Sequence, residues 1–264
     1  KMGVAGAGWA TLISQLISGL LCLVYMAKKF PILHLKRENL RLRPFCARRL
    51  LVMGLPMGMQ YSITAIGSIL LQTSVNGLGP VAMAAVAASS KVTNLFATPY
   101  DAMGTMAATY AGQNLGAGKL DRVKEGVRDC GILGLIYFVI AMASMYFGGA
   151  QMASLFLDSG DAASASEILP LARQMLVTNA AFYIPLLGVN LYRFTIQGLG
   201  YSNLAVIAGV FEMIARGAVA IGLVPLLGFT AVCYASPAAW VLADLFLVPA
   251  YHFCLNRRIR EANA

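Results

Sequence analysis

The sequence predicts an all-α polytopic membrane protein with seven transmembrane helices. Hydrophobic residues make up 59% of its 264 residues, charged residues only 12%, and the mean hydropathy is +0.71. Soluble domains carry about 25% charged and 45–50% apolar residues, so this composition excludes an ordinary soluble protein. The long apolar stretches also lack the two-residue alternation of barrel strands, and they therefore favour helices.

Seven hydrophobic segments follow one another along the chain, and a span needs about 20 such residues. They cover residues 4–27, 48–74, 79–111, 130–150, 168–197, 203–226 and 229–255. The glycine-rich stretches 76–80 and 198–202 supply turns between neighbouring helices. Prolines recur inside the segments, as in transporters with broken helices: Pro56, Pro99, Pro185, Pro237 and Pro249.

The distribution of Lys and Arg predicts the orientation in the membrane. Fifteen of the 20 cations lie in alternate connections, at 28–49, 119–128 and 257–260. Cytoplasmic loops carry such an excess, so we expect a multi-pass protein of the plasma (inner) membrane with a cytoplasmic C-terminus. The opposite connection, near 150–167, has acids and no cation. The net charge of +9 therefore reflects topology, and we expect no nucleic-acid partner.

The basic connection 28–49 has two interpretations. Its cations alternate with apolar side chains such as Phe30, Leu35 and Leu40, so the segment could lie on an anionic membrane surface. A solvated connector between two helix bundles explains the same pattern. Both interpretations stay open at the level of sequence.

Charged residues inside the spans mark candidate functional positions. Each costs about 2.5–3.5 kcal/mol at a helix centre on insertion scales, so each must be paired, lie near a helix end or face a wet cavity. Glu212 and Arg216 stand four residues apart with the acid first, the favourable order for a pair. They form either a structural pair or a protonatable carboxylate in a transport pathway. The six residues are Lys91, Asp101, Arg193, Glu212, Arg216 and Asp244.

Polar stripes on three segments predict a hydrated cavity. Interhelical hydrogen bonding explains any single residue of a stripe, but we expect the set as a whole to enclose water, because helical spacing aligns its members. The stripes are Asn94, Thr98, Asp101 and Thr105 on the third segment, Gln60, Thr64, Ser68 and Gln72 on the second, and Thr178, Asn179, Tyr183, Asn190 and Arg193 on the fifth.

Enzyme chemistry finds no support in the residue inventory. Five scattered cysteines and two histidines provide no metal or haem motif, and we expect no cofactor. The segment 112–119, GQNLGAGK, lacks the Gly at 113 and the Ser or Thr at 120 that a phosphate-binding loop needs. We therefore expect a protein that is not an enzyme.

The segment from Ala107 to Lys119 instead resembles a motif of the multidrug and toxic compound extrusion (MATE) family. Its loop residues are Gly112, Gln113, Asn114, Gly116 and Gly118. The resemblance continues at 54–56, at 197–200, and at Glu212 with Arg216, and the opening 3–11 resembles the last helix of that family's N-terminal lobe. It covers essentially the whole chain.

This resemblance implies the domain organisation. MATE transporters have two six-helix lobes, so residues 1–29 would be the last helix of the N-terminal lobe. Residues 30–46 would be a basic cytoplasmic inter-lobe loop, and residues 47–264 the six-helix C-terminal lobe. The chain opens without Met, almost inside a helix, and we expect it to be a piece of a longer protein whose N-terminal lobe is its partner.

The resemblance also implies secondary active export of small organic, often cationic substrates in exchange for H⁺ or Na⁺. A lipid-linked precursor flippase of the same superfamily is an alternative, and a seven-helix receptor is a more distant one. Some family members place ion-binding carboxylates in the first and fourth helices of this lobe, where this chain has none. The candidate cavity or ion-coupling residues are Gln60, Thr64, Asn94, Asp101, Asn179, Tyr183, Asn190, Glu212, Arg216 and Asp244.

Overall fold

The computed structural model describes residues 3–31, 41, 43–157 and 165–263. Across these ranges it contains helices and turns but no strand, which confirms the all-α class. The bulk of the predicted inter-lobe loop and part of the acidic connection, including Asp158 and Asp161, lie outside the described residues. The helices are α1 (Gly3–Lys29), α2 (Pro44–Asn76), α3 (Pro80–Gly116), α4 (Leu120–Ser154), α5 (Ala165–Ala181), α6 (Tyr183–Gly198), α7 (Ser202–Ala218), α8 (Val224–Leu227) and α9 (Phe229–Asn263).

Several of these helices are long and apolar enough to cross a membrane, as predicted. In the described part of the chain five helices qualify, and the pair α5 and α6, bent by 51°, makes a sixth. Helix α3 is 37 residues long but is not among them, because its polar stripe lowers its hydropathy. The polytopic membrane class is confirmed, whereas the count of seven spans stays a prediction.

The chain divides into two compact units, residues 1–50 and 51–264. The first contains α1 and the first turns of α2, and the second contains the remainder of α2 and α3 to α9. The core of the second unit lies where α3, α4, α5, α6 and α9 pack together. The ring of Tyr100 lies 5.2 Å from that of Tyr137 and 5.5 Å from that of Tyr183, all edge-on, an arrangement that aromatic pairs favour.

The fifth hydrophobic segment is two helices rather than one kinked helix. Helix α5 ends at Ala181, and α6 restarts at Tyr183 after Phe182. Pro185 then lies in the first turn of α6, where a backbone N–H has no intrahelical acceptor, so the ring costs little. The break at Phe182 therefore lies three residues before Pro185, the proline that the sequence offers as a break point in this segment.

A π-helical turn, Val219–Leu223, separates α7 from α8 and was not predicted. Val224 N–H bonds the carbonyl of Val219, five residues earlier. Continuing that pattern, Pro225 would bond Ala220, but proline has no N–H. The hydroxyl of Ser74 on α2 lies 3.0 Å from the Ala220 carbonyl oxygen and donates to it instead. A side chain from another helix thus satisfies the carbonyl that Pro225 leaves free.

Two turns of the same type end α3 and α6. Gly118 (φ +69°) and Gly200 (φ +90°) adopt the left-handed conformation that glycine accepts without strain. The residue after each glycine donates its N–H to a carbonyl five residues back, at 2.8 Å for Lys119 and 3.1 Å for Tyr201. This is the Schellman arrangement, which satisfies the free carbonyls at a helix end. The turn at 198–202 was predicted from its glycines, whereas the segment around Gly118 was singled out only as a family motif.

Candidate functional site

A buried charged cluster lies where α6 and α7 meet. The carboxylate of Glu212 pairs with the guanidinium of Arg193 on α6 and, at 3.2 Å, with that of Arg216 one turn along α7. The three residues are only 2%, 7% and 8% exposed, respectively. The predicted pair between Glu212 and Arg216 is thus present, and Arg193 joins it from a second helix.

Paired glutamines extend this cluster towards α2. The side-chain amide of Gln197, one turn after Arg193, donates to the side-chain carbonyl of Gln60 at 2.8 Å. Helix α2 approaches α7 closely here, since a Cβ placed on Gly209 would lie 3.2 Å from Cγ of Gln60 and 3.5 Å from the Thr64 hydroxyl. Polar groups of α2, α6 and α7 therefore meet in one buried region.

Ion pairing lowers the cost of burying the charges of this cluster. An unpaired charge in the interior costs several kcal/mol, whereas a charge that is paired and hydrogen-bonded recovers much of that cost. One carboxylate serves two guanidinium groups, so the cluster keeps one net positive charge.

The polar stripe of α3 forms an open face. Asn94, Thr98, Asp101 and Thr105 are all exposed, and Thr109 continues the line. The threonine hydroxyls donate to carbonyls one turn back, at 2.8–3.0 Å, so their oxygen atoms remain free to accept hydrogen bonds. The side-chain carboxylate of Asp101 has no hydrogen-bond or ion-pair partner within the described ranges of the chain. The stripe therefore presents a free carboxylate among hydroxyl and amide groups.

A shallow depression of about 520 Å³ continues the stripe towards the end of α3. Hydroxyl, amide, thioether and aromatic groups line it together, a mixture that suits amphipathic organic molecules. Its lining residues are Ala102, Thr105, Met106, Thr109, Tyr110 and Gln113.

Asp244 lies apart from this stripe. Its carboxylate rests against the backbone of Gly188 on α6, where a Cβ would collide with it. Its Oδ1 is buried and has no hydrogen-bond partner among the described residues. It lines a cleft between α4, α6 and α9.

The other predicted residues lie in the interior of the second unit. Tyr183 is fully buried in the aromatic core, and its hydroxyl lies 3.7 Å from the sulfur of Met145. Asn179 is 2% exposed, and Asn190 bonds the Leu186 carbonyl of its own helix at 3.2 Å. The structure therefore separates the predicted set into the buried cluster, the α3 stripe, Asp244 and these core positions.

Gln197 is a site residue that sequence reasoning assigned only to a family motif. Its signal was present, because Gln197 follows Arg193 by four residues and so shares its helix face. The family motif loop also has a structural role. Asn114 is buried and donates to the Tyr110 carbonyl at 2.9 Å, and Gly118 provides the left-handed turn that ends α3.

Two proteins of Bacillus subtilis are similar to this chain in sequence. The probable multidrug resistance protein YpnP of Bacillus subtilis (strain 168) is 28% identical over 208 residues, which cover 75% of this chain and 42% of that protein. The probable multidrug resistance protein YoeA of the same organism is 27% identical over 187 residues, covering 70% of this chain and 39% of that one. The chain thus spans about two fifths of the length of these relatives.

Solved structures of MATE proteins share the fold. A crystal structure of MATE in complex with MaL6 superposes with a TM-score of 0.87 at 18% identity, over 98% of this chain and 58% of that one. A MOP superfamily transporter from Pyrococcus furiosus gives 0.65 at 21% identity, over 76% of this chain and 43% of that one. The family model named MatE matches residues 56–221, more than half of the sequence. The resemblance found in the sequence is confirmed, and this chain belongs to the MatE family, whose members are transporters rather than enzymes.

Proposed function

We propose that the chain is the C-terminal part of a secondary active exporter that exchanges small organic, often cationic substrates for H⁺ or Na⁺. The names of both Bacillus relatives, probable multidrug resistance proteins, support drug export. Under this proposal residues 47–264 are a six-helix lobe, residues 1–29 are the last helix of the N-terminal lobe, and residues 30–46 link the two. The missing lobe completes the transport route by alternating access.

The observation that carries the proposal is the exposed carboxylate of Asp101 within the polar stripe of α3. An acid facing lipid at the middle of a span costs about 2.5–3.5 kcal/mol on insertion scales. The stripe is therefore best accommodated facing water, in a cavity shared with the N-terminal lobe. A free carboxylate beside hydroxyl, thioether and aromatic groups suits an organic cation.

The same carboxylate provides a basis for antiport. A cationic substrate and a coupling ion, H⁺ or Na⁺, compete for one negative charge, so the binding of either favours release of the other. Glu212 cannot compete in this way while both of its oxygens are paired with Arg193 and Arg216. We therefore assign the exchange to Asp101 and a positioning role to the buried charged cluster, which holds α6 against α7.

The proposed orientation places the C-terminus in the cytoplasm and the protein in the plasma membrane. Arg258 near the end of α9 donates through Nε and Nη2 to the carbonyl of Leu199, at 3.1 and 3.0 Å. The turn between α6 and α7 therefore lies at the same end of the bundle as the basic tail. The positive-inside tendency supports assigning that end to the cytoplasm.

The test is Asp101→Asn in the full-length transporter, reconstituted in liposomes. We expect efflux of a fluorescent organic cation to fall at least about tenfold, since 1.4 kcal/mol of lost attraction suffices for that change. Expression and melting temperature should stay unchanged, because Asp101 is exposed. The matched control is Asp121→Asn, an exposed acid in the first turn of α4 and away from the stripe. Undiminished efflux in Asp101→Asn would refute this assignment.

The driving ion is identified in the same liposomes by imposing either a pH gradient or a Na⁺ gradient. The flippase alternative predicts that a lipid-linked pyrophosphate is moved and that the organic cation is not. That alternative requires free cationic groups in the transport cavity, whereas the guanidinium groups of Arg193 and Arg216 are buried and share the carboxylate of Glu212. The exporter is therefore the function that the geometry favours.

A further inference from the structure

A cleft of about 510 Å³ lies between α4, α6 and α9. Its lining includes neither the α3 stripe nor the buried charged cluster. One end carries the cations Lys124 and Arg128 together with His252, and the walls between are almost entirely apolar. We refer to it as the α4–α6–α9 cleft.

The cations at the end of this cleft share one helix face. Lys124 and Arg128 are four residues apart on α4 and therefore adjacent along its surface, and both are exposed. Neither makes an ion pair with an acid in the described ranges. Two cations with no acidic partner, in the same cleft as an imidazole, have the charge that attracts an anionic group.

The length of the cleft matches one leaflet of a bilayer. Along α4 it extends from Lys124 to Leu135, roughly 16 Å at 1.5 Å per residue. The hydrocarbon core is about 30 Å thick, so this distance reaches from the headgroup level to the midplane. The exposed side chains of Ile132, Leu135 and Ile184 border the cleft, and Gly131 leaves its floor open.

We propose that the α4–α6–α9 cleft binds one anionic phospholipid. Its phosphate lies among Lys124, Arg128 and His252, and one acyl chain follows the apolar wall towards Leu135. Basic pockets between membrane helices attract anionic headgroups in this way. Asp244, the acid in the cleft, stands eight residues before His252 on α9, roughly 12 Å deeper, so it does not oppose the phosphate. This inference does not depend on the proposed export activity.

The test is native mass spectrometry of the full-length transporter titrated with phosphatidylglycerol or phosphatidylcholine. We expect phosphatidylglycerol to bind more tightly, and Lys124→Gln/Arg128→Gln to weaken it about 30-fold, since each cation near the surface contributes about 1 kcal/mol. The matched control, Lys119→Gln/Arg122→Gln, removes the same charge from the same end of the bundle outside the cleft. It should bind phosphatidylglycerol as the unaltered protein does.

A second variant separates the cleft from general surface charge. Gly131→Leu keeps every cation but fills the groove, and its first side-chain atom meets only ordinary contact, 3.7 Å from Leu191. We expect it to lose phosphatidylglycerol while retaining its melting temperature. Inorganic phosphate alone should not displace the lipid. Equal affinity for both lipids, equal loss in the control, or displacement by tetraphenylphosphonium would each overturn the proposal.

Discussion

The sequence leaves two roles open for Glu212, and its contacts in the structure favour one of them. Its position in a membrane segment is compatible with a proton carrier or a structural ion. The structure gives its two oxygens to two different arginines, one from α6 and one from α7. Such a carboxylate holds two helices together, so we expect its replacement to destabilise the fold.

The first residue-scale prediction follows from that pairing. Glu212→Gln leaves two buried guanidinium groups without a counter-charge, so we expect a loss of about 3–5 kcal/mol in the free energy of unfolding. The measurement is denaturant unfolding of the full-length protein in detergent. The matched control is Glu261→Gln, because Glu261 also lies between two arginines, Arg257 and Arg258, but on the exposed tail. It should change stability far less, and an equal effect would contradict the prediction.

A related prediction concerns replacing the whole cluster. If the triad is structural, Arg193→Met/Glu212→Leu/Arg216→Met should recover much of the stability lost by Glu212→Gln, because apolar groups of similar size avoid the desolvation cost. Unfolding of the two variants under the same conditions compares them directly. A triple variant less stable than Glu212→Gln would show that the cluster contributes more than charge balance.

Gly198 gives a prediction about helix packing. A Cβ at this position on α6 would collide with the backbone of Ala108 on α3. Gly198→Ala should therefore force the helices apart and lower stability by about 1–3 kcal/mol, the usual cost of overpacking. Gly116→Ala is the control, since no atom lies within 4 Å of its added Cβ. Thermal unfolding should distinguish the two, and equal melting temperatures would refute the close contact.

At the scale of elements, the sequence predicted the turns and the apolar helices well because their signals are local. Glycine-rich stretches such as 198–202 mark turns, and long apolar runs mark spans. Helix α3 is long because its polar residues occupy one stripe and leave the opposite side for packing. The π-helical turn was missed because it depends on a hydroxyl from another helix, that of Ser74 on α2. The break at Phe182 was missed because the proline of that segment lies three residues further along the chain.

The π-helical turn yields a prediction that links two elements. Ser74→Ala removes the donor to the Ala220 carbonyl, so we expect a loss of about 1 kcal/mol, typical of one hydrogen bond. In a Pro225→Ala background the restored N–H supplies another donor, and Ser74→Ala should then cost less. A double-mutant cycle in unfolding free energy measures this coupling. Ser68→Ala is the control, since the Ser68 hydroxyl donates to the Thr64 carbonyl in its own helix. Additive effects of Ser74→Ala and Pro225→Ala on the free energy of unfolding would contradict the prediction.

The candidate site was only partly predictable for a related reason. Helical spacing placed Asn94, Thr98, Asp101 and Thr105 on one face, and all four residues are exposed in the structure. Spacing alone does not say whether a face meets a neighbour or a cavity. Tyr183 therefore proved to lie in the aromatic core, and the partner of Gln60 on α6 became visible only once the helices were packed.

At the scale of the whole molecule, the order of the helices decides which of the connections between them lie at the same end of the bundle. The turn at Gly118 joins the antiparallel helices α3 and α4, and the turn at Gly200 joins α6 and α7. Arg258 near the end of α9 contacts the turn at Gly200. The turns at Gly77 and Gly228 join the opposite ends of their helices. One assignment of side therefore fixes all of them.

Cysteine labelling tests that assignment. In a full-length protein lacking its native cysteines, Gly77→Cys should react with a membrane-impermeant maleimide in intact cells, because we expect it on the outside. Gly116→Cys, at the end of α3 that we propose to be cytoplasmic, should react only after permeabilisation. Labelling of Gly116→Cys in intact cells would reverse the proposed orientation.

The contact between Arg258 and the Leu199 carbonyl has a practical consequence for handling the protein. The last turns of α9 fasten a connection between two earlier helices, so they belong to the folded body. A stop codon placed ahead of Arg258 would remove that contact, whereas a chain that continues through the last turns of α9 would keep it. The position at which the chain is truncated therefore decides whether the turn between α6 and α7 keeps its contact with α9.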